Sequence, residues 1–353
     1  MPNTTGRFRT VVVGCRMGGH HAAVISRLTD FELIAVCDLN RDLAAEVAAN
    51  TGNPMVFTDY KTMLEQTSPD VVVIATPTST HAELTCQAAE SGVHAVYCEK
   101  PMAVSLGEAL QMMRTCAAHD TVLVIGHQRR MSQPYRAMRH LIEKGALGDV
   151  YLVRGSCAGD FLSDGTHLVD SALFLMGDPD VKWVSGTVTR REPDPPEVAA
   201  KNRWAYTGSR YGHLVESGAI GVFETADGVR AELFTGELAL KGRRYQDIEI
   251  YGTKGRVWRP GDDADPPVLF ADMSGGGWVP VETPPNEGKG DFDHVFEALA
   301  ESIRHGVVHP MDARVAIKGF EVVMSVYESA RVRKVIVPPL TQMAFPLDLM
   351  FRS

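Results

Sequence analysis

Short apolar runs recur along the first third of the chain, each closed by a turn and followed by a segment of helical periodicity. The runs FRTVVVG (8–14), FELIAVCD (31–38), MVF (55–57), VVVIA (71–75), AVYC (95–98) and TVLVIG (121–126) read as buried strands. Between them lie amphipathic stretches, among them 41–50, one capped by Thr58 or Asp59, one near Thr80, one running to Ser91-Gly92, and 105–119. Strands alternating with helices of this length imply right-handed parallel crossovers. An α/β, doubly wound parallel sheet over 1–126 is therefore predicted.

The second half carries a different period. VYLVRGS, VKWVSGTVTR, HLVESGAIGVFETADGVRAELFTG and YQDIEIYGTKGRVWRP alternate apolar and polar positions around glycine-bearing turns. That is the signature of a mostly antiparallel sheet with one face left to solvent or to an interface. RPGDDADPP and DMSGGGW read as surface loops, 291–305 and 312–332 as closing helices, and VIVPPL as a final edge segment. Residues 127–353 thus form a second α/β domain on a large, open-faced sheet.

Composition narrows the function classes. The 353 residues are 44% hydrophobic and 22% charged, with a net charge of −9. No basic cluster alternates with aromatics, which argues against a nucleic-acid partner. No apolar run approaches the ~20 residues of a membrane span, and MPNTTGRFRT lacks a leader's apolar segment. Six scattered cysteines without a C-x-x-C pair suit a reduced, cytoplasmic protein without structural zinc.

Three places carry chemistry. In GCRMGGHHA, Gly14 and Gly19 fit the ends of a G-x-G-x-x-G turn with Arg16 at the second glycine; alternatively Gly18 closes a shorter turn. Strand, turn and helix N-terminus together suit a pyrophosphate. Asp38, at the end of the second strand, can accept hydrogen bonds from ribose hydroxyls and repel a 2′-phosphate, or simply cap the next helix. Arg41 keeps NADP open. YCEKP ends a strand abruptly, so Lys100 faces the crevice where open α/β sheets bind ligands, unless it marks an ordinary Glu-Lys turn. In SDGTHLVD, Asp164, His167 and Asp170 follow at i, i+3 and i+6 on a helix that ends at Gly177. A histidine beside carboxylates is a candidate base, or a helix cap with a structural histidine.

VVVGCRMGGHHA, VVVIATPTSTHAEL, YCEKPMA and SDGTHLVD occur in the order found in the glucose-fructose oxidoreductase/inositol dehydrogenase/MocA (Gfo/Idh/MocA) family, which the chain resembles over nearly its whole length. The resemblance implies an NAD(P)-binding Rossmann domain and an α/β domain for substrate binding and oligomerisation, as a homodimer or homotetramer. It implies Lys100, His167 and Asp164 as catalytic residues and a cis Lys100-Pro101 bond. Expected cofactor contacts are Gly14, Arg16, Met17, Gly19, Asp38, Thr76, Pro77, His81, Glu99, Lys100 and Gln128. Expected substrate contacts are Lys100, Arg129, Asp160, Asp164, His167 and Tyr245, with Trp204 and Tyr206 as weaker candidates. Ser163 stands where many members carry the acid, with Asp164 one residue nearer the histidine.

The expected reaction is oxidation of a secondary hydroxyl of a sugar, glycoside or cyclitol, with NAD favoured over NADP. His167 takes the proton, Lys100 stabilises the developing alkoxide, and Asp164 orients His167. Two rivals remain on this sequence: a redox-assisted glycoside hydrolase that keeps NAD bound, and a nucleotide-binding sensor without chemistry.

Overall fold

The computed structural model describes residues 6–351 apart from 203, 243, 244, 286 and 287. The first five residues, part of the segment read as lacking a leader, lie outside the described residues. The chain divides into two compact units, Met1–Met131 with Glu287–Ala316, and Ser132–Asn286 with Ile317–Ser353. No helix among the described residues is long and apolar enough to cross a membrane.

In the first unit, β1 (Phe8–Val13), α1 (Met17–Ile25), β2 (Phe31–Cys37), α2 (Arg41–Asn50), β3 (Met55–Phe57), α3 (Tyr60–Thr67), β4 (Val71–Ile74), α4 (His81–Glu90), β5 (Ala95–Cys98), α5 (Leu106–Ala118) and β6 (Val122–Ile125) alternate as the apolar pattern predicts. The strands are all parallel, in the order β3-β2-β1-β4-β5-β6. β4 and β5 are buried at every position, which is why they read as continuous apolar runs rather than alternating ones. Short polar side chains start the helices: Asn40 caps α2, Asp59 caps α3, and Ser105 closes a capping box with Glu108 on α5.

A division at 126 was expected; the structure divides differently. The helix Asp291–His305 belongs to the first unit. Its apolar stripe (Val295, Phe296, Leu299, Ala300) joins the core around β1, β2 and β5, with the Phe296 ring 5.9 Å from Phe31 and 5.3 Å from Tyr97. Its polar side is tied by Arg27 to Asp293 and by Arg304 to Asp30, each at 2.6 Å. Sheet and helix need each other's apolar faces, and nothing in chain order announces that pairing.

The second unit is built on an eight-stranded sheet with α6 (Gln133–Glu143) and α7 (Gly165–Met176). Its strands are β7 (Val150–Cys157), β8 (Val181–Thr189), β11 (Gly218–Thr225), β12 (Arg230–Gly236), β13 (Asp247–Gly252), β14 (Gly255–Arg259), β15 (Leu269–Asp272) and β16 (Val279–Pro280); β9 (Ser209–Arg210) and β10 (His213–Leu214) form a separate small hairpin. The order is β16-β15-β14-β13-β7-β12-β11-β8, antiparallel throughout except where β12 runs parallel to β7. Alternating burial along β11 and β12 leaves one face partly open, as the period-2 pattern requires. The tail segment does join an edge: Ile336 bridges Val184 on β8, the outermost strand.

Candidate functional site

The candidates fall in both units and are described one unit at a time. In the first, the sheet reverses its winding between β1 and β4, the position at which doubly wound folds open a ligand crevice. The chain leaves β1 through Gly14, at φ +86°, where an added Cβ would stand 2.6 Å from the Ala75 carbonyl oxygen. Only glycine lets the turn pass this close to the end of β4. Arg16 and Met17 are exposed at the start of α1, whose first turn holds no acidic residue and whose N-cap makes no side-chain bond. Its backbone donors and positive dipole end therefore suit an anion. Gly18, rather than Gly19, packs helix on strand: a Cβ there would meet Val12 Cγ1 at 2.8 Å, whereas one at Gly19 would meet the Val47 side chain at 3.1 Å.

Asp38 is fixed beside this turn. One carboxylate oxygen accepts the Cys15 amide at 2.7 Å and the other the Asn40 amide at 2.8 Å. Each oxygen keeps a further lone pair for a hydroxyl donor. The cap of α2 is Asn40, which accepts from the Asp42 and Leu43 amides, so Asp38 does not serve as that cap. Burial, and then the Asp38 charge, push the Cys15 thiol up to about 12, so it stays a neutral packing group. A glycine cradle, an open helix N-terminus and a pinned carboxylate fit the chemistry of a dinucleotide, with Gly14, Arg16 and Met17 available to phosphates and Asp38 available to a ribose.

Lys100 follows β5, half-buried, and the Lys100-Pro101 bond is cis, as the resemblance implies. Two expected cofactor contacts are instead committed to protein groups. Glu99 is buried; Oε1 lies 2.8 Å from His21 Nε2 and accepts the Tyr97 hydroxyl at 3.0 Å, while Oε2 accepts the Lys100 amide at 3.2 Å. Burial opposes its charge, but the His21 hydrogen bond and the His21 and Lys100 charges outweigh it and hold the carboxyl below its ordinary value. His81 is also buried, with Nδ1 2.9 Å from the Pro101 oxygen and Nε2 3.0 Å from the Thr76 oxygen. Thr76 Oγ1 meets Thr80 Oγ1 at 2.7 Å, and Pro77 is exposed on the same loop. Gln128, half-buried, and Arg129, buried, stand on the short turn after β6.

In the second unit, α7 begins after Asp164 and stops at Gly177, φ +96°, as predicted. Asp160, Asp164, His167 and Asp170 are all buried. Asp164 makes no side-chain cap bond to the helix. Its carboxylate receives Arg210 Nη1 at 2.7 Å and the Tyr245 hydroxyl at 3.2 Å, and Arg210 Nη1 also lies 3.3 Å from Asp160. The Tyr245 ring stacks on Trp204 at 4.6 Å. Burial opposes the Arg210 charge, but Asp164 and Asp160 outweigh it and hold the guanidinium above its ordinary value. Ser163 Oγ faces His213 Nε2 at 3.4 Å, and its amide donates to Asp160.

Arg210 and Glu216 were missed from the sequence. Glu216 accepts the Phe161 amide at 2.6 Å and the Tyr327 hydroxyl at 2.8 Å; burial and then the Asp160 charge push it up to about 8. With Asp160, Trp204, Tyr206 and Arg210 it bounds a cavity of about 20 Å³. A wider hollow of about 410 Å³, beside Gly186, Ser329 and Arg333, holds none of the candidates.

Two domain models of one family match the chain, "Oxidoreductase family, NAD-binding Rossmann fold" over residues 8–127 and "GFO/IDH/MocA C-terminal domain" over residues 158–258. The chain is 29% identical over 203 residues to D-glucoside 3-dehydrogenase of Escherichia coli, a stretch covering 52% of this chain and 58% of that protein. It is 26% identical over 269 residues to myo-inositol 2-dehydrogenase of Thermotoga maritima, covering 71% and 75%. An oxidoreductase from Agrobacterium radiobacter, crystallised with NAD+, L-tartaric acid and magnesium, shares the fold at a TM-score of 0.77 and 19% identity, covering 94% of this chain and 98% of that one. Glycine turn, pinned carboxylate and Lys100 loop in one unit, and the His167 helix on the sheet of the other, fall within the two matched segments: the chain belongs to the Gfo/Idh/MocA family of oxidoreductases with an NAD-binding Rossmann fold.

Proposed function

We propose that the chain is an NAD-dependent dehydrogenase acting on a secondary hydroxyl of a sugar, glycoside or cyclitol. The observation that carries this reading is Asp38, held by two backbone amides beside the Gly14 turn, where its carboxylate favours an unsubstituted ribose. The names of the glucoside and inositol dehydrogenases that the chain resembles supply the substrate class.

NAD, when bound, supplies the hydride acceptor. The chain's own residues then bind, orient and move a proton. His167 accepts the hydroxyl proton at a ring nitrogen, a step typically worth about 10²–10⁴ in rate. The Lys100 ammonium stabilises negative charge growing on the substrate oxygen. Asp164, fixed by Arg210 and Tyr245, holds a carboxylate near the start of α7 that favours the imidazolium formed on His167. Arg129, Asp160 and Tyr245 are substrate contacts in this reading. The second unit's partly open sheet is its surface for self-association as a homodimer or homotetramer, in a reducing, cytoplasmic setting suited to buried thiols.

The test incubates the enzyme with NAD and a panel of myo-inositol, scyllo-inositol and methyl D-glucosides, following NADH absorbance and sugar release together. NADH accumulation with at least one compound, lost in Lys100→Ala and in His167→Ala, is the expected result. Glycoside cleavage without net NADH would replace this reading with the redox-assisted hydrolase. Nucleotide binding with neither product would replace it with a sensor.

A further inference from the structure

We infer that Glu99 and His21 are positioning residues for Lys100, acting as a buried lock that takes the Lys100 amide on one side and the helix behind the glycine turn on the other. Glu99 divides its two oxygens between these tasks. Oε2 accepts the Lys100 backbone N–H at 3.2 Å; Oε1 meets His21 Nε2 at 2.8 Å and takes the Tyr97 hydroxyl at 3.0 Å.

His21 is fully buried on α1, and its ring stands edge-on to Tyr97 at 5.0 Å and to Phe292 at 4.7 Å. These rings hold the plane of the imidazole, and the hydrogen bond to the carboxylate sets its orientation within that plane. Nδ1 has no hydrogen-bond partner among the described residues. The polar investment of this histidine is thus Glu99. Gly126, at the end of β6, makes room for the arrangement: a Cβ there would stand 2.7 Å from the Tyr97 hydroxyl and 3.1 Å from Glu99 Oε2.

A buried His–Glu pair that only stabilised the core would spend both carboxylate oxygens inside it. Here one oxygen is spent on the residue that carries the proposed chemistry. His81 completes the grip from the other side by holding the Pro101 carbonyl at 2.9 Å. The Lys100 backbone is thereby bounded by two buried side chains, one on its amide and one on the following carbonyl. A mobile lysine would lose effective catalysis through misplacement alone.

The kinetic half of the test rests on the role proposed for Lys100; the exchange half does not. Full-length Glu99→Gln, His21→Leu and His21→Gln proteins are compared with wild type by residue-resolved amide hydrogen exchange, NADH titration and turnover on the best panel substrate. Glu99→Gln keeps the shape of the side chain, so it stays informative if His21→Leu does not fold. Expected is an increase of about tenfold in exchange at the Lys100 amide in Glu99→Gln, the order for replacing a charged acceptor by a neutral amide whose single oxygen must serve two sides, with Val11 and Val12 amides unchanged. NADH affinity stays within about threefold, kcat falls about tenfold or more with KM little altered, and His21→Gln, which restores a donor, recovers part of the loss. In a Lys100→Ala background Glu99→Gln costs nothing further. Unchanged exchange at Lys100, or a rise shared by β1, overturns the inference. If Lys100→Ala itself leaves kcat intact, the function proposed for Lys100 falls, and the exchange result alone decides the lock.

Discussion

Arg210 Nη1 lies 2.7 Å from Asp164 and 3.3 Å from Asp160, so one guanidinium nitrogen serves two buried carboxylates on the segment that leads into α7. Removing the cation leaves both acids desolvated and repelling each other. Arg210→Leu is expected to lower unfolding free energy by about 3 kcal/mol or more, the scale for stripping one partner from a buried pair. Urea denaturation measures this, and Asp160→Asn in the same chain should return part of the loss.

Asp38 should govern the choice of dinucleotide. Asp38→Asn keeps one acceptor oxygen for the Cys15 or Asn40 amide but removes the charge. NADH binding should weaken by about tenfold, or ~1.4 kcal/mol, while NADPH binding improves. Fluorescence titration with both nucleotides reads the two affinities directly.

Gly14 tolerates no side chain. Ala at φ +86° costs on the order of 1–3 kcal/mol from backbone strain alone, before its Cβ displaces the Ala75 carbonyl. Gly14→Ala should lower Tm and remove NADH binding, and both are visible in one thermal-shift series with and without nucleotide.

Glu216 gives a pH signature with a definite sign. Its folded value, about 8, lies above the unfolded carboxyl's ordinary 4.5. Between those values the folded state holds a proton that the unfolded state has released, so its contribution is complete below about 4.5. It is lost as pH rises towards 8. Wild type should therefore lose stability relative to Glu216→Gln from pH 5 to pH 8, measured as diverging urea midpoints.

The parallel sheet was legible because buried strands and amphipathic helices alternate with clear caps, and the second sheet because its strands keep a period of two. Motif residues were legible as well; their partners were not. Asp164 appears in the sequence as a helix cap or an acid beside His167, yet its carboxylate is held by Arg210 and Tyr245, 46 and 81 residues further on. Glu99 is a cofactor contact in what the resemblance implies, but its carboxylate is held among His21, Tyr97 and the Lys100 amide inside the fold. Glu216 left a faint trace, a carboxylate in an apolar run just ahead of β11, which the pattern alone assigns to no partner. Each of these depends on tertiary neighbours, and spacing along the chain carries no record of them.

The helix Asp291–His305 supplies part of the wall behind β2 and β5, and it is made late. On the ribosome, the first six strands emerge on the order of ten seconds before that helix is complete. Throughout this interval Phe31 and Tyr97 lack the Phe296 ring, and the nascent unit presents an unfinished apolar surface. A gene fragment stopped at Met131 reproduces that state permanently. It should aggregate on expression, whereas adding residues 287–316 in trans or by fusion should return it to solution.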